Sequence, residues 1–470
     1  MTNDRGSFAY LSLACLVAAL GGLLFGFDTA VISGAEGMLK VQFHLSPAMH
    51  GWIVSSALVG CLLGSAIAGT LSDRFGRKKV LLLAAVLFTL CAVGSAIPQT
   101  PWHLVVARMI GGTGIGIASM LSPMYIAEIS PSRLRGGLIS TYQLAITAGI
   151  LMAYLSNFAI ARLAAAHPDF FGVGVWQWMF VGEMWRGMLL AGVLPAAVLF
   201  LLLFFVPESP RWLTRQGRSQ QALAILARVN GQETAAREMV EIQQALALES
   251  GSIRELFQGK MLPALMIGVA LPIFSQVCGI NVLIYYGLTV LQEAGLTKDQ
   301  ALLWQAMFGI VNVLFTLVAI FTVDKFGRRP LLLIGIVGVG LGLLGGGWLF
   351  AQSSVTPASV FAVFSFFLAC FAFSYGAVVW IIVAEVFPTA IRGRAMSISI
   401  FVLWTACTLV SQTFPYLLDT LGAAWCFWLY ALTTPLAFLF VLFFVPETKG
   451  KSLEQIERQF GIVSDRNSRT

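Results

Sequence analysis

Long apolar runs alternate with short polar ones along almost the whole chain. They cover 8–34, 51–71, 80–98, 102–127, 138–160 and 188–206, and then, after a polar interval, 261–291, 300–323, 331–351, 358–386, 395–418 and 423–445. A helix needs about 20 apolar residues to cross a bilayer, and these twelve segments meet that length or come close to it. None shows the strict alternation of a membrane barrel strand. The pattern predicts an all-α membrane protein with twelve transmembrane helices. The first run is too long for a secretory leader and has no small-residue cleavage site, so it is read as a span.

Composition agrees. Of 470 residues, 58% are hydrophobic and 11% charged, against about 25% charged in soluble domains. A disordered chain, a nucleic-acid module and a disulfide scaffold are excluded. The seven cysteines are odd in number, lie in apolar runs and include no C-x-x-C, so they read as small lipid- or core-facing hydrophobes. The four histidines (His44, His50, His103, His167) fall in or beside predicted loops without metal-ligand spacing. No metal, cofactor or catalytic residue is expected.

The net charge of +7 is distributed unevenly. With both termini cytoplasmic, 24 of the 29 Lys and Arg residues fall on the cytoplasmic side; the exceptions are Lys40, Arg108, Arg162, Arg186 and Lys298. Positive charge retains loops on that side, so this orientation is the expected one. The interval 207–260 carries periodic apolar residues, and Ser252-Ile-Arg-Glu255 reads as a capping box. Short amphipathic cytoplasmic helices are expected there. The organisation is then an N-terminal bundle (1–206), a helical linker (207–260), a C-terminal bundle (261–446) and a tail (447–470).

The two halves repeat one another. Asp73-Arg-Phe-Gly76-Arg77 recurs as Asp324-Lys-Phe-Gly327-Arg328. Glu128 with Arg133-Leu-Arg135 recurs as Glu385 with Arg392-Gly-Arg394, and Pro207-Glu-Ser209 recurs as Pro446-Glu-Thr448. Two parallel repeats of six spans mark an alternating-access transporter, with substrate near the midplane between the halves. The matched charges are either solvated turn residues or latches between helix ends. As latches, Asp73/Arg77, Glu128/Arg135, Asp324/Arg328 and Glu385/Arg392 are the pairs expected on the cytoplasmic side. Gly112-Thr-Gly114-Ile-Gly116 has no preceding strand and lies within a span. It reads as close helix packing, like Gly60, Gly64 and Ala68, and not as a nucleotide loop.

Four segments are more specific: Gly21-Gly-Leu-Leu-Phe-Gly-Phe-Asp28-Thr-Ala-Val-Ile-Ser-Gly34, Pro207-Glu-Ser-Pro-Arg-Trp-Leu213, Gly279-Ile-Asn281-Val-Leu-Ile-Tyr285-Tyr286 and Pro446-Glu-Thr-Lys-Gly450. With them the chain resembles the sugar porter family of the major facilitator superfamily over nearly its whole length, and most of all the bacterial proton–pentose/hexose symporters. The resemblance implies the major facilitator fold, monosaccharide and proton as partners, no cofactor, and a monomer in the bacterial inner membrane.

Asp28 lies deep in span 1 and Arg108 in the outer half of span 4. An ionisable group at membrane depth needs a polar cavity or a partner. Burial favours the neutral acid and a neighbouring Arg favours the carboxylate, so making and breaking this pair would bind and release a proton. The resemblance implies that coupling role; a permanent ion pair is the alternative. Some relatives carry a further acid early in span 6. Here Gly192 stands in that position, and Glu183 is either a substitute or a loop residue.

A monosaccharide needs amides for its hydroxyls and an aromatic plate for its C–H face. The rare amides of the spans are Gln143, Gln276, Asn281 and Asn312, and the resemblance matches each to a sugar-contacting position. An unbroken helix would rotate Gln276 and Asn281 apart by roughly 140°, so Gly279 is expected to break span 7. Tyr285 and Tyr286 follow it, and Trp380, Trp404 and Phe25 are candidate plates; the resemblance also matches Trp380. Ser275, Leu403, Cys407 and Ala377 depart from the family pattern and reduce the hydrogen-bonding partners in the C-terminal half. The expected function is proton-coupled symport of a D-xylose- or D-glucose-like sugar. The alternatives are an uncoupled facilitator or a polyol/inositol symporter.

Overall fold

A computed structural model describes residues 7–131, 134–248, 256–257, 259, 261–352, 355–387, 391–450 and 455. The proposed Ser252–Glu255 capping box, Arg133 and nearly all of the tail lie outside these residues.

The first compact unit runs to Leu248. It contains α1 (Phe8–Gln42), α2 (Pro47–Phe75), α3 (Arg77–Ala96), α4 (Pro101–Ile129), α5 (Arg135–Ala166) and α6 (Met184–Phe205). The linker adds α7 (Pro210–Arg215), α8 (Ser219–Asn230) and α9 (Gln232–Leu248). The second unit contains α10 (Leu262–Val277), α11 (Ile280–Glu293), α12 (Lys298–Phe326), α13 (Arg328–Phe350), α14 (Pro357–Val386), α15 (Arg392–Ala431) and α16 (Thr433–Phe444). Among the described residues, eleven stretches are long and apolar enough to cross a membrane, α10 and α11 together forming one. The last of them, Arg392–Phe444, has 53 residues. At 1.5 Å per residue it would run roughly 80 Å, far more than one bilayer. Gly422, at φ 79° and ψ 166°, breaks it, and the count becomes twelve.

Helix ends follow local chemistry. Ser46 accepts a hydrogen bond from Met49 N with Pro47 at the first helical position, and Thr297 forms a capping box with Gln300. Close packing inside the first unit depends on missing side chains. A Cβ on Gly112 of α4 would lie 1.8 Å from the Ala57 carbonyl oxygen of α2, and one on Gly26 of α1 would lie 1.9 Å from that of Ile146 on α5. The glycine run of α4 is therefore a packing face. In the second unit, a Cβ on Gly338 would meet the Cys370 sulfur at 2.3 Å.

The linker helices share a small core of Trp212, Leu213, Ala222, Leu226, Ala235 and Met239. They dock on the end of the first unit that carries the basic α2–α3 turn, called here its basic end. Trp212 Nε1 donates to the Asp73 carbonyl at 2.9 Å, Arg215 pairs with the Asp73 carboxylate at 3.0 Å, and Ser7 N donates to the Arg228 carbonyl at 2.9 Å.

Candidate functional site

Asp28 is half-buried in α1. The Cys91 thiol of α3 donates to its Oδ1 at 3.6 Å, and Cys91 also lies 3.7 Å from the Ser95 hydroxyl. Arg108 of α4 is only 2% exposed, and the Cys91 thiol feels the charge of both Asp28 and Arg108. Asp28 and Arg108 form no ion pair with each other, and Arg108 Nε and Nη1 have no hydrogen-bond partner among the described residues. A carboxylate and a buried guanidinium thus stand around one thiol with their mutual pair open.

The cysteines were expected to be simple hydrophobes. All seven are buried and none forms a disulfide, but Cys91 and Cys407 also touch polar groups, because a thiol is a weak donor and acceptor as well as a small apolar group.

Glu183 is not a bare loop acid. It accepts from Gln42 Nε2 at 2.6 Å, from Trp178 Nε1 at 2.8 Å and from Arg186 Nε at 2.7 Å. Burial raises its pKa, but these donors and the Arg186 charge outweigh that and hold it below the usual carboxylate range. Its role is to clamp Arg186, whose guanidinium lies over Trp178 and Trp185 at 4.4 and 4.2 Å. Gly192 faces the Phe27 ring and Ala92, an apolar setting.

In the second unit, Gly279 adopts φ 79°, ψ 17° between α10 and α11. That break lets Asn281 Nδ2 donate to Gln276 Oε1 at 2.5 Å, while Gln276 Nε2 donates to Ser275 Oγ at 3.0 Å. Asn281 Nδ2 also reaches Cys407 Sγ at 3.1 Å, and the Tyr285 hydroxyl lies 3.7 Å from the same sulfur. Tyr286 instead donates to the Ser411 carbonyl at 2.9 Å and serves packing. Asn312 (α12) and Trp404 (α15) are buried, and Trp380 (α14) is half-buried. In the first unit, Gln143 (α5) and Phe25 (α1) are half-buried. Gln143, Asn312 and Trp380 form no hydrogen bond among the described residues, which leaves their donors for a ligand.

The charges at the basic ends are paired differently from expectation. Asp73/Arg77 (3.2 Å) and Asp324/Arg328 (2.9 Å) form. Glu128, however, pairs with Arg77 at 2.9 Å and not with Arg135, which donates to the Ser130 carbonyl. Glu385 pairs with Arg328 at 3.2 Å and not with Arg392, which donates to the Phe387 carbonyl. The reason is geometric. Arg135 and Arg392 begin their own helices and fold back on the preceding carbonyls. Arg77 and Arg328 begin α3 and α13 beside the ends of α4 and α14.

Two glutamates were missed in the sequence as functional groups. Glu208 accepts from the Arg77, Lys78 and Ser209 amides at 2.8–3.3 Å, and Glu447 accepts from the Arg328, Arg329 and Lys449 amides at 2.8–3.1 Å. Each carboxylate caps the positive start of the helix that follows the Gly76 or Gly327 turn. Both glycines have φ above 90°, and a Cβ on either would strike the capping carboxylate. Burial pushes the Glu208 carboxyl up despite these amides, whereas at Glu447 the amides outweigh burial and hold it down. A raised acid loses stability as it ionises on the alkaline side, and a lowered one loses it only when acid protonates it. Glu447→Gln should therefore cost about 1 kcal/mol at both pH 7 and pH 5. The cost of Glu208→Gln should instead grow as pH falls from 7 to 5, because protonation relieves the buried carboxylate of the wild type. Thermal unfolding followed with a thiol-reactive dye, which reads the seven buried cysteines, checks both; a pH-invariant Glu208→Gln effect would contradict the assignment.

The family model described as "Sugar (and other) transporter" matches residues 14–460. The arabinose-proton symporter of Bacillus subtilis is 40% identical over 453 residues, covering 96% of this chain and 95% of that protein. The D-xylose-proton symporter of Escherichia coli K12 is 40% identical over 489 residues, covering 97% and 96%. The glucose transport protein of Synechocystis is 43% identical over 471 residues, covering 97% and 98%. A solved structure of the xylose transporter from E. coli, in a partially occluded inward-open conformation, aligns with TM-score 0.82 at 39% identity, covering 94% of this chain and 100% of that one. The chain belongs to the sugar transporter family of the major facilitator superfamily: it is a multi-pass membrane transporter and not an enzyme.

Proposed function

We propose that this chain couples the uptake of a monosaccharide to protons, with Asp28 as the proton carrier and Arg108 as its electrostatic partner. The observation that carries the reading is the Asp28 carboxylate held at membrane depth against Cys91, beside a buried Arg108 with which it makes no ion pair. Named relatives that are proton symporters of arabinose and xylose support it. The sugar contacts are Gln143, Gln276, Asn281, Tyr285, Asn312 and Ser275, with Phe25, Trp380 and Trp404 as plates. The working parts are the bundles 1–206 and 261–446, the linker 207–260 and the tail 447–470. The charged clusters of Asp73, Arg77, Glu128 and Arg135, and of Asp324, Arg328, Glu385 and Arg392, tie helix ends within each bundle. In this reading the protein is a monomer in the bacterial inner membrane with both termini in the cytoplasm, an orientation that the distribution of basic residues supports.

The test is reconstitution in proteoliposomes with arabinose, xylose and glucose offered in turn. Sugar addition should alkalinise the outer medium; uptake without proton movement would establish a facilitator instead. Asn281→Ala removes a buried amide joined to Gln276 and Cys407. Losing one buried hydroxyl partner costs about 1–3 kcal/mol, so the KM for the preferred sugar should rise about 5- to 150-fold. An unchanged KM would remove Asn281 from the sugar contacts.

A further inference from the structure

The second unit holds two buried hydroxyls that the sugar contacts named above do not include. Thr316 of α12 is 1% exposed and Tyr375 of α14 is 2% exposed. Neither hydroxyl has a hydrogen-bond partner among the described residues. A buried helical threonine ordinarily satisfies itself by donating to a carbonyl of the preceding turn. The other buried threonines of the spans, Thr29, Thr147 and Thr434, all do so at 2.8–3.0 Å. Thr316 does not. An orphaned buried hydroxyl is costly, and a ligand that supplies the partner accounts for it.

Placement ties both groups to the amides. Thr316 is one helical turn beyond Asn312, on the same face of α12. Asn312 and Gln276 stand at one depth, each 14 residues from the basic end of its helix (Phe326 and Leu262). Thr316 is therefore about 6 Å nearer that end. Tyr375 lies in a single π-turn of α14, Ala372–Gly376, a backbone form that recurs at functional sites. α12 packs against this turn. The two helices run in the same direction, and Thr316 and Tyr375 each lie 18 residues past the first residue, Lys298 or Pro357. They share one depth, and both side chains lean back toward their helix starts, which is toward the amide layer. The Tyr375 hydroxyl is within electrostatic range of the Cys278 thiol, in the break between Gln276 and Asn281.

We propose that Thr316 and Tyr375 are specificity-determining residues: a hydroxyl layer that takes the exocyclic hydroxymethyl of a hexose while the amides take the ring hydroxyls. The inference rests on the monosaccharide reading above. A pentopyranose carries no group beyond its ring hydroxyls, whereas the sixth carbon of a hexopyranose extends one more hydroxyl past the ring. A hydroxyl donates and accepts, so that group can bond Thr316 and Tyr375 at once.

Calorimetric binding to the purified full chain tests this without requiring transport. The probes are D-glucose, 6-deoxy-D-glucose, which has a methyl in place of the hydroxymethyl, and D-xylose, which lacks that carbon. The wild type should bind glucose about tenfold more tightly than 6-deoxyglucose. Thr316→Val, which keeps the volume, and Tyr375→Phe should each weaken glucose binding about fivefold and leave the other two sugars within about twofold. Thr316→Ser, which keeps a hydroxyl, should retain glucose binding. Equal losses for all three sugars, no loss for any, or a wild type indifferent to the 6-hydroxyl would overturn the proposal and leave the monosaccharide reading in place. A wild type that binds none of the three would overturn that reading, and this proposal with it.

Discussion

Asp28→Asn should abolish sugar accumulation driven by a proton gradient and leave sugar-for-sugar exchange running. One pH unit supplies about 1.4 kcal/mol per proton, and 100 mV supplies about 2.3. Together they support up to about 500-fold accumulation for one proton per sugar. An asparagine at this position keeps the volume and a hydrogen-bonding oxygen for the Cys91 thiol, but it carries no proton. Net uptake then runs only until inside and outside concentrations match, an accumulation ratio near one. Exchange needs only the sugar-loaded steps, which move no net proton. The measurement is labelled sugar in proteoliposomes with an imposed pH step, followed by counterflow in the same vesicles. Accumulation above tenfold in the variant would remove Asp28 from the coupling role. Loss of counterflow together with accumulation would show that Asp28 holds the bundle together and does not carry the coupled proton.

The span pattern, the duplication and the break at Gly279 were legible because each is a local property of sequence: length of an apolar run, recurrence of a motif, a glycine between two amides that an intact helix would separate. Pairings across helices were less legible. Glu128 had two arginines within reach by sequence, Arg77 and Arg135, and nothing local says that Arg135 turns back onto the Ser130 carbonyl. The same ambiguity misassigned Glu385. Pro207-Glu208-Ser209 was visible as a repeated motif, but its role in capping a helix that begins 131 residues earlier depends on how α6 packs against α3. Cys91 reads as one more apolar residue until α3 is laid beside α1. Glu36 and His50 sit near the polar ends of two spans, where a charge raises no alarm; only the packing of α1 on α2 turns them into a buried pair.

The duplicated charge clusters should not be equal in strength, and Arg77→Gln should be far more damaging than Arg328→Gln. Arg77 has a side chain only 7% exposed. It grips Glu128 with two parallel bonds, Nε to Oε2 at 2.9 Å and Nη2 to Oε1 at 3.0 Å, and adds bonds to the Ser72 carbonyl and Asp73. Ser209 Oγ completes the cluster by donating to Glu128 Oε2 at 2.5 Å. Removing the arginine leaves a carboxylate that is 8% exposed with that hydroxyl as its remaining partner. Breaking a buried pair from one side costs about 3–5 kcal/mol. In the second unit, Arg328 makes a single contact with Glu385 at 3.2 Å, both side chains are more open to solvent, and Asp324 is 79% exposed. The equivalent Thr448 hydroxyl is buried without a partner among the described residues, so the cluster has no counterpart to the Ser209 bond. Solvent screening brings the cost of Arg328→Gln down to about 1–2 kcal/mol. Thermal unfolding in detergent should rank wild type, Arg328→Gln and Arg77→Gln in falling order. Arg77→Gln with Glu128→Gln should recover part of the loss, because two neutral amides replace one stranded charge. Equal losses at the two arginines, or no recovery in the double variant, would mean that the first cluster is held by helix packing and that its charges are incidental.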